Sequence, residues 1–479
     1  MAAGQTGRTE KIDLTSGPLM GHLVRMAWPT VLGIVLQSLY SMADTFWLGR
    51  LGEGKGVVAV ASPGVVRPVL FIAVSLGFGL SMGGTALVAQ FTGAGEHRRA
   101  DRAAGQTLLL LSAMGVLAAL PIVLLAPGIL RLMRVPPGVV ASASAYLRIF
   151  IAGLPFMAFS MAYASVLRAL GDTITAVVIV GATNLLNFAL DPVLIFGWGG
   201  LPALGVRGAA LASAIGQVLS AFGCYVCMRR GRAGLHVGLA EFVPDWTLIG
   251  RIIAVGVPAG VGSAMNSVGL AIFQTIINSF GTAVVGAFTI GFQVLHFFDA
   301  PMHGVAHAAA PIVGQALGAG KVALARRAVR MSVITMALIL LAPTAFLMLR
   351  GQWVARIFIQ DADVIAESGR FFRIVPASTY FFGVVMVLMA AFYGSGHTRP
   401  VMAISFVRVF GVRIPAGAML AFWLHLGSVG AYLGMVAGNV AGALLSVFLF
   451  LKGGWETGVV GGLAQGSDED EGEPPPPAS

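Results

Sequence analysis

The sequence predicts an all-α membrane protein in which twelve transmembrane helices form two six-helix lobes, related by a pseudo-two-fold axis along the membrane normal. Three observations lead to this prediction: the composition, the lengths of the apolar segments and an internal repeat. Of the 479 residues, 57% are apolar and only 10% are charged, and the mean hydropathy is +0.87. Soluble globular domains are far less apolar than this. The 64 glycines also suit membrane helices, whose backbones approach closely over small residues.

A helix needs about 20 apolar residues to cross a bilayer. The predicted spans are 27–48, 57–91, 103–127, 144–170, 174–197, 206–228, 250–278, 283–317, 326–349, 370–394, 398–424 and 428–451. The second and eighth are too long for one straight span, so we expect them to extend into the cytoplasm or to bend. Arg67-Pro68 and Ala300-Pro301 are places where a bend can occur, because proline interrupts the helical hydrogen bonds.

An internal repeat predicts the two lobes. Four blocks recur in the same order and at nearly the same spacing: Ala27-Trp28-Pro29 … Leu51-Gly52 as Gly256-Val257-Pro258 … Phe280-Gly281, Val88–Gly95 as Val313–Gly320, Leu170–Thr173 as Ser395–Thr398, and Gly205–Ala209 as Gly427–Ala431. Each repeat holds six spans, an even number, so the two halves share one orientation. Two-lobed chains of this kind enclose a cavity between their lobes and work by rocking.

The distribution of basic residues predicts the topology. Most of the 30 lysines and arginines lie in the loops on the side of the two termini, and such an excess marks the cytoplasmic side. We therefore expect a multi-pass protein with both termini in the cytoplasm, and arginine outnumbers lysine so strongly that a bacterial inner membrane is favoured. The predicted segments are a cytoplasmic N-terminal segment 1–25, lobes 26–228 and 250–452, a cytoplasmic loop 229–249 between them, and a disordered acidic and Pro-rich tail 453–479.

Several other classes of protein are disfavoured. The formal charge of +10 does not indicate a nucleic-acid partner, because the basic residues are spread over short loops instead of one face. Cys224 and Cys227 lie inside an apolar run, so we expect buried, inert thiols and no metal site. Residues 1–25 are polar and the run that follows is too long for a signal peptide. The chain has no nucleophile elbow or phosphate loop, so we expect no catalytic residues and no enzyme.

The first span carries a polar stripe with an acid at its end. Gln37, Tyr40 and Asp44 stand at i, i+3 and i+7 and therefore share one helical face. An acid inside a span costs at least about 2.5 kcal/mol unless it faces protein or a wet cavity. Intramembrane acids are for this reason functional by default, and Asp44 is the first candidate.

The fifth span repeats this pattern. Asn184, Asn187 and Asp191 have the same spacing, and Asp44 and Asp191 are each the eighteenth residue of their predicted spans, so both should lie at a similar depth. Burial disfavours the charged form of a carboxyl group, and a second carboxyl group nearby disfavours it further. Such a site can bind a proton, or its oxygens can bind sodium. The alternative is a structural ion pair with Arg67.

These features together resemble the multidrug and toxic compound extrusion (MATE) family. The residues that carry the resemblance are Pro29 and Asp44-Thr45 … Gly49 … Gly52 in the first span, the paired Gln-x-x-Gly-Ala-Gly loops at Gln90 and Gln315, and Asn187-Phe188-Ala189-Leu190-Asp191-Pro192. The resemblance extends over residues 12–452. It implies a cation-coupled antiporter that exports bulky, often cationic compounds, with Asp44, Asn187 and Asp191 as the coupling site.

The C-terminal half departs from one pattern of this family. Some members have further acids in the seventh and tenth spans, whereas here Asn266 holds the seventh-span position and the tenth span has no acid. A coupling site of that type is therefore not expected. The eighth span instead has a stripe on one face: His296, Asp299, His303 and His307. These residues can relay protons or contribute to a metal site, or they can line a wet cavity with Asp299 paired to Arg408 or Arg413.

Substrate is expected to contact aromatic, thioether and polar side chains, because aromatic rings attract organic cations and methionine adapts to shape. The predicted cavity residues are Gln37, Tyr40, Trp47, Tyr146, Met157, Ser160, Tyr163 and Phe292. Ordinary helix packing is the alternative for each of them. The expected partners are lipophilic cations and membrane lipid, the expected oligomeric state is a monomer, and no cofactor is expected apart from the coupling H⁺ or Na⁺.

The expected mechanism is alternating access. Cation binding near Asp44 would bend the first span at Pro29, where the helix lacks a backbone hydrogen bond, with Pro192 of the fifth span as a second hinge. One alternative keeps the fold and changes the cargo to lipid-linked precursors with anionic head groups. Arg67, Arg408 and Arg413 are the residues that favour such a flippase.

Overall fold

The computed structural model describes residues 13–51, 55–133, 135–200, 202–238 and 240–460, without the side chains of residues 55–57, 60, 298 and 299. All regular secondary structure in these ranges is helical. Ten helices and two bent helix pairs are long and apolar enough to cross a membrane, which gives twelve spans if each pair is one span. The predicted all-α class is confirmed.

The first half of the chain contains seven helices. Their bounds are α1 Leu19–Gly49, α2 Lys55–Gly93, α3 His97–Leu132, α4 Pro137–Ala152, α5 Leu154–Ala169, α6 Thr173–Phe196 and α7 Val206–Arg229. The helices α4 and α5 form one span with a bend of 46°, next to Gly153 and Pro155. The fourth span therefore begins at residue 137, earlier than predicted, because Pro137 can occupy the first turn of a helix without loss of a hydrogen bond.

The second half repeats this arrangement with more interruptions. Its helices are α8 Trp246–Asn278, α9 Thr282–Gly318, α10 Val322–Phe358, α11 Ala362–Ile374, α12 Thr379–Ser395, α13 Arg399–Phe406, α14 Ile414–Ala418 and α15 Gly427–Leu451. The helices α11 and α12 join through a 3₁₀ turn at Pro376–Ser378 into the tenth span, which begins at 362 and not at 370. Two π-helical segments, Val407–Arg413 and Met419–Trp423, interrupt the eleventh span.

The prolines inside helices have different effects. The helix α9 bends by 44° between Phe297 and Ala300, just before Pro301, as the sequence predicts. The helix α2 continues through Pro63 and Pro68 without a break, so its length is taken up by extension and not by a bend. The proposed hinges at Pro29 and Pro192 are buried inside the continuous helices α1 and α6.

The lobes meet through close backbone contacts along α2 and α9. The helix α2 packs against α8, and α9 packs against α1 and α2. A Cβ atom on Gly93 would lie 2.0 Å from the carbonyl oxygen of Gln315, and one on Gly318 would lie 2.0 Å from that of Gln90. Only glycine fits there, and the two contacts are related by the internal repeat.

Two glutamine side chains cross the same interface in opposite directions. Gln90 Nε2 donates to Gly394 O at 2.9 Å, and Gln315 Nε2 donates to Ala169 O at 2.8 Å. Both glutamines are buried. We call this pair the glutamine brace. It ties the lobes at the end of the molecule where Leu14 and Val460, near the limits of the described chain, lie, here called the terminal end.

Both ends of the described chain bind to the glutamine brace. The Leu14 N–H donates to Gln315 Oε1 at 3.0 Å, and the Val460 N–H donates to Gln90 Oε1 at 3.1 Å. Trp455 is buried and stacks on Phe450. The prediction that disorder begins at residue 453 is therefore wrong for residues 453–460, because an apolar Trp and a buried amide donor anchor them. The rest of the predicted tail, and residues 1–12, lie outside the described residues.

The connection between the lobes is also ordered where it is described. Gln106 of α3 donates to Glu241 O and Val243 O, both at 2.8 Å, and accepts from the Asp245 N–H at 2.9 Å. Asp245 caps the first turn of α8 through the N–H groups of Thr247 and Leu248. The predicted loop 229–249 is thus held against the first lobe, and α8 begins at residue 246.

Gly93→Ala and Gly318→Ala are expected to destabilise the protein, because each added Cβ would clash with a backbone oxygen of the other lobe. Overpacking of this kind costs about 1–3 kcal/mol. Thermal unfolding in detergent measures the effect. Gly250→Ala is the matched control, since Gly250 is exposed on α8 and nothing lies within 4 Å of its added Cβ. Equal unfolding temperatures for all three variants would contradict the close approach of the lobes.

Candidate functional site

A cavity of about 250 Å³ lies inside the first lobe. Its walls come from α1, α4, α5, α6 and α7, and they include Gln37, Tyr40, Met157, Ser160, Asn184 and Asn187. All six are among the residues that the sequence predicts for substrate or cation binding. Its walls combine hydroxyl and amide groups with apolar side chains such as Phe150 and Met157, and a small-molecule site needs both kinds of group.

Two acids are buried beside this cavity. Asp191 is fully buried and Asp44 is 8% exposed. They lie close enough for the charge of one to affect the other, and Tyr40 and Tyr146 lie within range of both. The helices α1 and α6 pack side by side, so the two polar stripes of the sequence face each other.

Three of the four carboxyl oxygens of these acids lack a hydrogen-bond donor among the described residues. Within the described part of the chain, both carboxyl oxygens of Asp191, Oδ1 of Asp44 and Oδ1 of Asn187 are buried without a hydrogen-bond partner. An unpaired buried polar atom is costly, and an unpaired buried charge costs more. Four such oxygens on two adjacent helices form a set that a proton or a small cation can satisfy.

The alternative of a structural ion pair does not agree with the contacts. Among the described residues, no salt bridge joins Asp44 to Arg67, and the Arg67 side chain is exposed.

Tyr40 is held by a hydrogen bond of 2.7 Å between its hydroxyl and Ser213 Oγ of α7. This bond orients the tyrosine ring one helical turn from Asp44.

The sequence did not predict the contribution of α7 to the cavity. Ser213, Gln217 and Ser220 line the wall opposite α1, and Gln217 Oε1 is buried without a partner. Their spacing of i, i+4 and i+7 is the same helical signal that identifies the stripe in α1. Because none of them is charged, the signal was weaker than that of an intramembrane acid.

Four predicted cavity residues do not line this cavity. Trp47 packs in an aromatic cluster with Phe188, Phe196 and Trp198. Tyr146 is buried and stacks on Phe150, which does line the cavity. For these two, helix packing is the better description.

The other two lie elsewhere. Tyr163 is fully buried in a hydrophobic core with Cys224, because α5 turns this face toward α3 and α7. Phe292 belongs to the second lobe, where it lines a different cavity. The prediction for both residues rested on their aromatic character. The sequence alone does not determine how one helix is rotated relative to its neighbours, so it could not place these side chains.

The second lobe contains its own cavity of about 330 Å³. It is lined by Phe292, His296 and His303 of α9, Arg408 and Arg413 of the π-helical segment, Asn266 of α8 and Asn439 of α15. Arg408 and Arg413 are buried. Among the described side chains, neither arginine pairs with a carboxylate.

The predicted stripe on α9 is divided between two cavities. His296 is exposed and packs edge-on against Phe292. His303 and His307 lie with ring centroids 6.0 Å apart, and both line a cavity of about 370 Å³ between the lobes, opposite Phe78 of α2. The side chain of Asp299, and hence its predicted pairing with Arg408 or Arg413, lies outside the described part. No group of three His, Cys, Asp or Glu side chains suited to a metal ion occurs among the described residues.

Comparison with known proteins gives a consistent result. The MatE family model matches residues 29–193 and 258–419, one stretch in each lobe. The probable multidrug resistance protein NorM of Thermotoga maritima is 28% identical over 440 residues, which are 91% of this chain and 93% of that protein. The probable multidrug resistance protein YoeA of Bacillus subtilis is 26% identical over 87% of this chain and 90% of its own length.

A solved structure shares the whole architecture. It is described as the outward-facing conformation of a multidrug resistance MATE family transporter of the MOP superfamily. It matches with a TM-score of 0.84 and 25% sequence identity over 92% of this chain and 97% of that chain. The two-lobed fold of twelve spans and the match of the family model to both lobes lead to one conclusion: the chain belongs to the MatE family of multidrug and toxic compound extrusion transporters, and it is a multi-pass membrane transporter and not an enzyme.

Proposed function

We propose that the protein is a cation-coupled antiporter that exports lipophilic, often cationic compounds across the bacterial inner membrane. The observation that carries this proposal is the set of buried, unpaired oxygens on Asp44, Asn187 and Asp191 beside the cavity of the first lobe. A transporter needs a group that binds its coupling ion on one side of the membrane and releases it on the other. These oxygens are the best candidates for that group among the described residues.

The coupling ion is H⁺ or Na⁺, and no other cofactor is needed. A proton bound to Asp191 removes one buried charge and supplies an O–H donor for a neighbouring oxygen. Sodium instead uses carboxylate and amide oxygens together, which are the hard ligands that such cations prefer. Asn184, whose Nδ2 is buried without a partner among the described residues, lies one helical turn from Asn187 and can affect the orientation of the Asn187 amide.

The cationic substrate and the coupling ion compete for the negative charge of the same two carboxylates. With Asp44 and Asp191 ionised, the cavity attracts a cation, and Tyr40 and Met157 supply an aromatic face and a soft thioether. When the coupling ion binds, the negative charge falls and the cationic substrate loses its attraction. Binding of the coupling ion therefore releases the cationic substrate, and the two are exchanged.

The glutamine brace supports alternating access. It ties the lobes at the terminal end, while the cavity between the lobes lies farther along α2 and α9. If both termini are cytoplasmic, this arrangement is closed toward the cytoplasm. Transport then requires that the brace opens and that α1 and α6 bend at Pro29 and Pro192, the buried prolines within them. We expect a monomer in contact with membrane lipid and with no nucleic-acid partner, since each chain contains both lobes.

Asp44→Asn is expected to insert and fold normally but to lose drug efflux to the level of cells without the transporter. The amide keeps the shape of the carboxyl group but cannot take up and release a proton or attract a cation. Ethidium efflux from cells, normalised to the amount of protein in the membrane, measures the loss. Asp363→Asn is the matched control, because Asp363 is exposed in the first turn of α11. Full efflux by Asp44→Asn would refute the coupling role.

The coupling ion can be identified in everted membrane vesicles. We expect ethidium to accumulate when the vesicle interior is made acidic or is loaded with sodium, and not when both gradients are absent. The gradient that drives ethidium uptake identifies the coupling ion, because only an ion that the protein binds and exchanges for substrate can drive transport. Nigericin and monensin, which dissipate the gradients, should abolish uptake. Accumulation that is indifferent to both gradients would contradict the proposed antiport.

Opening of the terminal end can be followed by cysteine labelling. Ala89 is buried at the interface next to Gly314, so Ala89→Cys in a Cys224→Ala, Cys227→Ala background should react slowly with N-ethylmaleimide. Adding Gln90→Ala and Gln315→Ala should raise its labelling rate, because the brace no longer holds the lobes together.

Ala126→Cys serves as the control for this measurement, since Ala126 is buried in the core of the first lobe. Its labelling should stay slow in the same double glutamine variant. Equal labelling of Ala89→Cys with and without the glutamines would count against the brace as a closing contact. Faster labelling at both positions would indicate unfolding instead of opening.

A further inference from the structure

The eleventh span contains a feature that the coupling mechanism does not use. Its segment Val407–Arg413 is π-helical, and it carries two buried arginines at its ends. In an α-helix, residues five apart point about 140° away from each other. In a π-helix they are one turn apart, since its hydrogen bonds run from i to i+5. The π-helical segment therefore brings Arg408 and Arg413 to one side.

Both guanidinium groups converge on one amide. Arg408 Nη1 and Arg413 Nη2 donate to Asn439 Oδ1 at 3.1 and 3.0 Å. Arg408 Nη2 also donates to Asn266 Oδ1. The Asn439 amide is fixed in turn, because its Nδ2 donates to Ser378 Oγ at 3.0 Å. All described acceptors of the two cations are thus neutral oxygens.

Much of the donor capacity of the two arginines stays unused. Each guanidinium has five N–H donors, and among the described residues Nε of both Arg408 and Arg413 is buried without a hydrogen-bond partner. Two like charges close together inside a membrane protein are costly unless a counter-charge is present. Both side chains line the cavity of the second lobe, so a ligand in that cavity can contact the guanidinium groups where they border it.

The helix α15 is shaped to hold this pair. A Cβ on Gly438 would lie 2.7 Å from Arg413 Cβ, and one on Gly442 would lie 2.7 Å from Arg408 Cδ. Because these two glycines have no side chain, each leaves room on α15 for one of the arginines. Two aromatic rings lie near the pair: Phe292 lines the same cavity, and the ring centroid of Phe382 is 4.8 Å from Arg408 Cζ.

From this geometry we infer that the second lobe has an anion-binding site, in which Arg408 and Arg413 bind a carboxylate, sulfonate or phosphate attached to an aromatic or apolar body. Guanidinium groups bind such anions through paired hydrogen bonds, and the two aromatic rings accommodate the attached ring. The binding of the anion is independent of the coupling site. Its export from the cell rests on the proposed antiport function.

Binding to the purified full-length protein tests the site. The probes are 1-naphthyl phosphate and two matched ligands with the same ring system, neutral 1-naphthol and cationic 1-naphthylmethylammonium. Isothermal titration into protein in phosphatidylcholine nanodiscs, with empty nanodiscs as the blank, should show saturable binding of the phosphate at least tenfold tighter than that of the other two. Equal affinity for all three ligands would overturn the inference.

Two variants separate a binding role from a structural one. Arg413→Gln should weaken phosphate binding at least tenfold and leave 1-naphthol binding unchanged. Asn439→Asp places a carboxylate between the guanidinium groups, so it should raise the unfolding temperature and still weaken phosphate binding at least tenfold. Arg330→Gln, at an exposed position of α10, is the control. Wild-type affinity in both Arg413→Gln and Asn439→Asp would overturn the site, and Asn439→Asp keeps the test decisive if Arg413→Gln does not fold.

The source of the anion is distinguished in the same experiment. If a lipid head group is the natural occupant, phosphatidylglycerol in the nanodisc should compete with 1-naphthyl phosphate, and Arg413→Gln should abolish the competition. If a soluble solute is the occupant, the phosphate affinity should not change with lipid composition. Asp44→Asn should bind 1-naphthyl phosphate like the wild type. Failure of efflux coupling and failure of the anion site are therefore separate results.

Discussion

The glutamine brace is the contact on which the arrangement of the two lobes depends. Gln90 and Gln315 each reach a backbone carbonyl of the opposite lobe, at a place where glycines let the backbones touch. Buried amide groups must keep their partners, so the lobes cannot slide at this end without breaking both of these hydrogen bonds. Because this end holds the lobes together, the residues that line the cavities farther along the helices can differ between the two lobes.

The two lobes share one architecture but carry opposite charge. The first lobe buries Asp44 and Asp191, and the second buries Arg408 and Arg413. An acidic cavity and a basic cavity in one chain favour different groups, or opposite ends of one zwitterionic molecule.

Much of this structure could be predicted from the sequence, and the limits have physical causes. The lengths of the apolar segments predicted the spans, and the internal repeat predicted the two lobes, because both features can be read along the chain without knowledge of its contacts. The stripe of Asp44 was recognisable since an acid inside a membrane is so costly. The convergence of Arg408 and Arg413 was not, because five-residue spacing puts them on different faces of a regular helix and nothing in the sequence marks a π-helical segment. The place of Trp47 in an aromatic cluster depends on helix rotation, which single-chain periodicity does not fix.

The reciprocity of the brace bears on the origin of the chain. Each lobe offers the same glutamine and the same glycine to its neighbour, and Leu14 and Val460 approach the two glutamines in corresponding ways. This is the self-complementary contact of a two-fold symmetric dimer. A six-helix half that carries one such motif would form both sides of the interface if two copies associated. The charged residues of the cavities do not follow this reciprocity, because Asp44 and Asp191 are buried in one lobe and Arg408 and Arg413 in the other.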